Sequence, residues 1–270
     1  MLPGIEDSPR PRISVPARPV RTSSRRWIAG GLAGFVFLLA SLYAFHKLEQ
    51  FLIGDPRFVL YGPGGTDERA TLEIAGVVHA SSRALLTVFS EDLGRSVYLV
   101  PLGDRRSALR AADWVKDASV ARVWPNRLLV SVRERSPVAF VTLGASRFGL
   151  IDEDGFILPP ATDRFALPVL LGVRASDAVA KRSERVHRML YLERDLGAAA
   201  AKISEIDVSD PDNLKITLPN GNRVVTLLLG DHNFAARYQN FVSHYSEIQR
   251  RLPGAATLDL RLEDRITVVE

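Results

Sequence analysis

The chain has 270 residues, with 35 lysine and arginine against 31 aspartate and glutamate residues and no cysteine. The absence of cysteine excludes disulfides and thiolate metal sites. The first 26 residues carry six basic and two acidic side chains, which leaves 29 of each in the rest of the chain. The main body therefore has no excess of positive charge that would favour nucleic acid as a partner.

Residues 27–45 form an uncharged apolar run, WIAGGLAGFVFLLASLYAF. A helix of this length spans roughly 28 Å, close to the hydrocarbon thickness of a bilayer. A buried core helix would usually be amphipathic, and a cleaved signal peptide would end in a small-x-small pattern that is missing here. The run predicts an uncleaved transmembrane helix that attaches the protein to a membrane.

The flanks of this run predict its orientation, because an excess of lysine and arginine marks the cytoplasmic side of a membrane. We expect residues 1–26 to be a cytoplasmic basic tail, disordered because it is rich in proline and arginine. The bulk of the chain then lies on the other side. The arginines of the tail are Arg10, Arg12, Arg18, Arg21, Arg25 and Arg26.

Residues 46–70 are expected to link the membrane helix to the folded part of the chain. The helix can continue to Ile53, after which Gly54-Asp55-Pro56 ends it, because proline lacks an N–H donor. A short strand is expected at 58–60. Residues 62–65, Gly-Pro-Gly-Gly, predict a loop and not a phosphate-binding site, since no Gly-Lys-Ser/Thr follows.

Residues 71–139 predict helices on one face of a three-stranded sheet, a small α+β unit. The clearest element is its last strand, where Leu128, Val130 and Val132 recur at a period of two. The expected elements are a strand near 72–76, a helix capped at Ser81 or Ser82, a helix near 105–112, and strands at 118–123 and 128–132.

Residues 140–270 predict a second domain. A helix is expected at 181–197, and strands at 214–218 and 223–229 flank the turn sequence Pro-Asn-Gly-Asn, which is typical of a hairpin. Apolar residues at steps of four and three predict an amphipathic helix over 234–252. Its apolar stripe could be a groove for a partner, but packing against its own sheet is the more common arrangement.

No pattern for catalysis or metal binding is found. The five histidines are scattered, and neither His-Glu-x-x-His, nor Gly-x-Ser-x-Gly, nor a Walker loop occurs. Residues 152–155, Asp-Glu-Asp-Gly, predict a hairpin turn, because the later ligands of a calcium loop do not follow. The sequence predicts no enzyme, no cofactor, no metal and no small-molecule substrate.

The boundary between the two predicted domains carries the most specific motifs, and further motifs follow in the second domain. The boundary motifs are Trp114-Val115, Arg122-x-Trp124-Pro125-Asn126 and Glu134-Arg135-x-Pro137-Val138-Ala139, and the later ones are Leu150-Ile151-Asp152-Glu153-Asp154-Gly155-Phe156, Leu167-Pro168-Val169-Leu170-x-Gly172, Asn220-Gly221 and Asp259-Leu260-Arg261. With their spacing these motifs closely resemble the FtsQ/DivIB family of bacterial cell-division proteins, in which the boundary motifs end a POTRA (polypeptide-transport-associated) domain. Two departures are the Gly-Pro-Gly-Gly insertion and Leu262, which stands where an aromatic residue is often found.

The resemblance implies an α+β protein with a single transmembrane helix at 27–45. A POTRA domain at 71–139 would follow, and then an FtsQ-type C-terminal domain at 140–270, a mixed α/β domain with a mostly antiparallel sheet. By the same resemblance, the POTRA domain would help to bring the protein to the division site.

The last predicted strand is the candidate site for a partner, because an edge strand exposes unpaired N–H and C=O groups to which another chain can add. From the residues alone, preventing aggregation is the more usual reason for charges on such a strand. The resemblance implies that the strand pairs with the FtsB component of an FtsB–FtsL pair, with Arg261 as the first choice for a contact to an acidic residue. The candidate residues are Leu258, Asp259, Leu260, Arg261 and Leu262.

These features together predict a single-pass inner-membrane scaffold of the bacterial divisome. Its amino-terminal tail would be cytoplasmic and its two domains periplasmic, and it would help to control septum formation. The alternative is a membrane-anchored POTRA chaperone for polypeptide export or outer-membrane assembly. That protein would offer the edge of the POTRA sheet to its substrates and would not need a special terminal strand.

Overall fold

The computed structural model describes residues 24–62, 71–144, 147–161, 163–251, 254–262 and 265–269. The predictions for the tail up to residue 23, for the loop at 63–65, and for Leu252, Pro253 and Glu263 lie outside these ranges. The chain forms two compact units, residues 1–55 and residues 56–270.

The first unit contains one long helix, α1 (Ser24–Gly54). Within the described residues it is the one helix long and apolar enough to cross a membrane, over Gly30–Gly54. Its apolar side chains are exposed along this length, as expected for a surface that faces lipid. The predicted helix over 27–45 and its continuation to Ile53 are confirmed, and the helix ends just before Pro56.

The second unit begins with a 3-10 turn at Pro56–Phe58, so the predicted strand at 58–60 is wrong. Only a single bridge forms there, between Val59 and Ser96. Proline fixes φ near the helical value, which favours a turn at this point. Leu60 nevertheless is fully buried, held by backbone hydrogen bonds to the loop at 94–95.

A three-stranded sheet follows, in the order β1-β3-β2, with β1 parallel and β2 antiparallel to the central β3. The predicted period of two is confirmed in β3, where Leu128, Val130 and Val132 are buried. Ser81 caps the first helix by accepting a hydrogen bond from the N–H of Ala84. The elements are β1 (Leu72–Ala75), α2 (Ser82–Thr87), α3 (Leu102–Arg110), β2 (Val115–Val123) and β3 (Arg127–Glu134).

A nine-stranded mixed sheet forms the rest of the unit, with more antiparallel than parallel pairs. Its strand order is β12-β11-β10-β9-β8-β7-β4-β5-β6. The strands are β4 (Pro137–Gly144), β5 (Arg147–Asp152), β6 (Ile157–Leu158), β7 (Val169–Leu171), β8 (Glu205–Asp207), β9 (Leu214–Asn220), β10 (Arg223–Gly230), β11 (Thr257–Asp259) and β12 (Thr267–Val268).

Two helices, α4 (Val179–Leu196) and α5 (Phe234–Arg251), pack on the core of this sheet. The stripe of α5 buries Phe234 and Phe241, and it places Tyr238, Tyr245 and Ile248 half-buried against the same core. The prediction that this helix packs on its own sheet is therefore confirmed. The predicted helix at 181–197 and hairpin at 214–229 are confirmed as well.

Candidate partner-binding edge

The last strands form one end of the nine-stranded sheet. β11 pairs parallel with β10, in a register that places Leu258 opposite Leu227 and Asp259 opposite Leu228. Its other side is occupied by β12, which runs antiparallel to it. The prediction that residues 258–262 form the outer strand is thus wrong in two respects: the strand ends at Asp259, and β12 lies outside it.

The predicted apolar face of this segment is only partly confirmed. Leu258 and Leu260 are each 2% exposed and belong to the core of the sheet, so they hold the strand in place. Leu262 is 52% exposed, because the chain leaves the sheet before reaching it. Leu262 is accessible to a partner, whereas the side chains of Leu258 and Leu260 are buried in the core of the sheet.

The backbone hydrogen bonds establish which groups of β11 face outward. The N–H of Leu260 donates to Leu228 O at 3.0 Å, and the N–H of Thr226 donates to Ala256 O at 2.8 Å, so both bonds point inward to β10. Because successive residues of a strand point in opposite directions in the ladder, Thr257 and Asp259 face the outer side. There the N–H of Val269 donates to Thr257 O at 3.1 Å.

Asp259 and Arg261 form a close ion pair beside this edge. The Arg261 Nη2 lies 2.6 Å from Asp259 Oδ2, and its Nε lies 2.9 Å from Oδ1. The backbone N–H of Arg261 also donates to Asp259 Oδ1 at 3.0 Å. The hydrogen bonds from the guanidinium lower the pKa of Asp259, although partial burial opposes this. Arg261 remains 49% exposed, so one side of its guanidinium faces solvent.

A second arginine, Arg237 of α5, is buried behind the ion pair, and the sequence pattern gave no sign of it. Its Nη1 donates to Leu229 O, and its charge also helps to lower the pKa of Asp259. Gly230 has a φ of +75°, and a Cβ there would lie 2.5 Å from Arg237 Nη1. Position 230, at the end of β10, therefore requires glycine, because a side chain there would collide with the guanidinium of Arg237.

A groove of about 300 Å³ lies next to β12, between α5 and the segment at 265–266. Its charged wall includes the ion pair between Arg251 and Glu247, at 2.7 Å. The groove carries more basic than acidic groups, which suits an acidic partner. The lining residues are Asn240, His244, Glu247, Ile248, Arg251, Arg265 and Ile266.

Within the described part of the chain, no group of three or more histidine, aspartate or glutamate side chains could hold a metal ion. Asp152 of the predicted acidic turn instead accepts the N–H of Phe156 at 2.7 Å, as a hairpin turn requires. Its second oxygen receives a bond from Arg135 at 2.6 Å. The Asp152 carboxylate therefore has a structural role.

Comparison with known proteins gives two family matches. The POTRA domain of FtsQ type matches residues 70–135, and the C-terminal domain of cell division protein FtsQ/DivIB matches residues 139–261. The second match ends at Arg261, so β12 lies beyond it.

Individual relatives agree with these matches. Cell division protein FtsQ of Koribacter versatilis is 33% identical over 203 residues, or 73% of this chain and 58% of the relative. FtsQ of Zymomonas mobilis is 25% identical over 68% of this chain and 59% of the relative. FtsQ of Nitrosospira multiformis is 24% identical over 82% and 87%. The chain thus spans less than two thirds of the length of the first two relatives.

Proposed function

The chain belongs to the FtsQ/DivIB family of cell division proteins, and from that premise we propose that it is a single-pass inner-membrane scaffold of the divisome. Its helix α1 holds the protein in the membrane, and its two sheet domains bind other division proteins in the periplasm. Through these contacts the protein helps to control formation of the septum.

The proposed orientation is supported by the charges that flank α1. Six arginines and two acidic residues precede Trp27, while the apolar run itself is uncharged. Translocating that tail would move its positive charges across the membrane, which the positive-inside rule disfavours. The tail therefore stays in the cytoplasm, and residues 56–270 fold on the periplasmic side.

The proposed partner is an FtsB–FtsL pair, whose extracytoplasmic part adds a strand at the β11–β12 end of the nine-stranded sheet. One observation carries this proposal: the end of the sheet combines strand backbone with a half-exposed guanidinium at Arg261. Backbone hydrogen bonds would supply affinity, and the cation would select an acidic residue of the partner. Leu262 adds an exposed apolar contact beside it.

The test measures binding between the full chain in lipid nanodiscs and the extracytoplasmic segment of the host's own FtsB–FtsL pair. We expect Arg261→Glu to weaken binding at least about tenfold, because it places a carboxylate beside Asp259 and before an acidic partner. Arg83→Glu on α2, which makes the same charge change at another exposed site, should leave the affinity unchanged. A proline at Leu260 is unsuitable, since that N–H bonds inward to Leu228 O.

Either of two results would overturn the proposal. If the unaltered chain does not bind the pair, the partner assignment fails, and binding of unfolded export substrates to the POTRA sheet becomes the next measurement. If Arg83→Glu weakens binding as much as Arg261→Glu, the interaction depends on net charge and not on this edge.

A further inference from the structure

The outer side of β11 is already occupied by a segment of the same chain. β12 pairs Val268 with Leu258 and Thr267 with Asp259, and it lies where an added strand from another protein would lie. Within the described residues 265–269, the N–H of Val269 also donates to Thr257 O, and Ile266 packs against the core. We call these five residues the strap.

The strap is weakly held compared with the strands behind it. β12 has only two paired residues, and both are exposed. Its apolar anchor is Ile266, which packs half-buried on the core. Local segments with few buried contacts and exposed backbone hydrogen bonds open at the lowest free energies in a protein. The strap is therefore the part of this sheet edge that opens most easily.

The strap also lies outside the part of the chain that matches the family. The family match ends at Arg261, which includes all of β11 and excludes β12. A partner-binding strand common to the family belongs to the matched region, so β11 qualifies and β12 does not. In this chain β12 covers that strand from outside the matched region.

We propose that the strap occupies the partner's place, and that an extended segment of the partner displaces it to pair antiparallel with β11. This inference rests on the proposed function and specifies its site. The segment that fits carries β-branched residues, which favour strands, in place of Thr267 and Val268, and a carboxylate beside Arg261. Release of the strap also exposes the apolar surface against which Ile266 packs, next to the basic groove along α5.

Proline substitutions at two adjacent residues of the strap distinguish displacement of the strap from addition of the partner outside β12. By the alternation of the ladder, the N–H of Thr267 points inward to Asp259, and that of Val268 points away from β11. Proline at Thr267 loosens the strap, and proline at Val268 removes only an outward donor. If the partner instead added outside β12, it would need that outward donor.

The experiment measures the dissociation constant of the same extracytoplasmic FtsB–FtsL segment for three variants of the full chain in nanodiscs. Displacement predicts about tenfold tighter binding for Thr267→Pro, because the binding-competent state becomes more populated. A variant that lacks residues 263–270 should show the same gain. Val268→Pro should bind within about twofold of the unaltered chain. Weaker binding by Val268→Pro, or by the truncated variant, would overturn the inference and leave the proposed function intact.

Hydrogen exchange in the free chain gives an answer that needs no partner. The amide of Asp259 faces the strap, and the adjacent amide of Leu260 donates to Leu228 O within the sheet. We expect the Asp259 amide to exchange at least about 100-fold faster than that of Leu260. Opening of the strap alone exposes the Asp259 amide, whereas the Leu260 amide is exposed only when the sheet itself opens. Equal protection of the two amides would show that the strap is as stable as the sheet, and the inference would be wrong. If no variant binds the partner, the proposed function fails, but the hydrogen-exchange result still shows whether the strap opens independently of the sheet.

Discussion

Glu134 at the end of β3 shows how one carboxylate fixes a loop. Its side chain is 9% exposed and accepts hydrogen bonds from the backbone N–H groups of Val78, His79 and Ala80, at 2.8–3.0 Å. His79 Nδ1 lies 3.0 Å from its Oε2. Burial alone would raise the pKa of Glu134, but these bonds together outweigh it and lower that pKa. The charged form is thus the one that the fold stabilises.

This carboxylate should make stability depend on pH. Because its pKa is lower in the folded chain, Glu134 stabilises the fold above its unfolded-state pKa of about 4.3, and this contribution is lost as the pH falls through the folded-state pKa. We expect Glu134→Gln to lower the free energy of unfolding by about 2 kcal/mol at pH 7, as for buried bonds to a charged group. The loss should be smaller at pH 3. Urea unfolding of residues 56–270 at both pH values measures it.

Glu91→Gln is the control for this measurement, because the Glu91 side chain is 79% exposed. It should change the free energy of unfolding by less than about 0.5 kcal/mol at either pH. A Glu134→Gln variant as stable as the control at pH 7 would contradict the role given to these hydrogen bonds.

For individual residues, the sequence predicted where a side chain lies better than it predicted which residues that side chain contacts. Arg261 was identified, and it does lie half-exposed at the sheet end. Its pairing with Asp259 two residues away, and the burial of Arg237, did not follow from the pattern. Glu134 contacts a loop 54–56 residues away in sequence, a separation over which periodicity carries no information. Such contacts depend on the tertiary fold.

Among the elements, long periodic segments were predicted correctly, and so were the short β1 and α2, whereas the short strands at the end of the sheet, β11 and β12, were not. The helices α4 and α5 and the β9–β10 hairpin each repeat their pattern several times. β12 has two residues, too few for any period to appear. β11 ends at Asp259 although the leucine alternation continues to Leu262, because the last leucine finds no core to enter. The mistaken outer strand follows directly from these two short elements.

The proposed orientation of the protein in the membrane depends on helix α1. Its 31 residues make it about 46 Å long, which exceeds the hydrocarbon thickness of a bilayer, so in the proposed topology its last turns extend beyond the membrane core. Alkaline phosphatase, which folds only outside the cytoplasm, should be active when it is fused after Val269. It should be inactive when it is fused after Arg26, because the basic flank holds that end in the cytoplasm. The reverse activities would refute the proposed orientation.

Within residues 56–270, side chains from the nine-stranded sheet enter the core of the three-stranded sheet and connect the two. Leu150 of β5 and Leu158 of β6 are buried in the core of the three-stranded sheet, although their strands belong to the nine-stranded one. Lys116 of β2 pairs with Glu153 at 2.6 Å, and His79 Nε2 lies 2.9 Å from Asp163 Oδ2. The sequence motifs located this junction, but alternation could not indicate that Leu150 enters the other core.

A shared core predicts shared unfolding. For residues 56–270, we expect the fluorescence of Trp114 and Trp124, which reports on the first sheet, and hydrogen exchange in α4 to reveal one common transition. Leu150→Ala should lower the free energy of unfolding by about 2–5 kcal/mol, because it opens a cavity between the sheets, and both signals should shift together.

Phe148→Ala is the matched control on the same strand, since Phe148 is 54% exposed and its loss should cost less than about 1 kcal/mol. Separate transitions, with only the fluorescence signal affected by Leu150→Ala, would mean that the domains fold independently. Strand addition at the β11 edge could then leave the POTRA sheet unaffected, whereas a single transition makes both sheets respond to a bound partner.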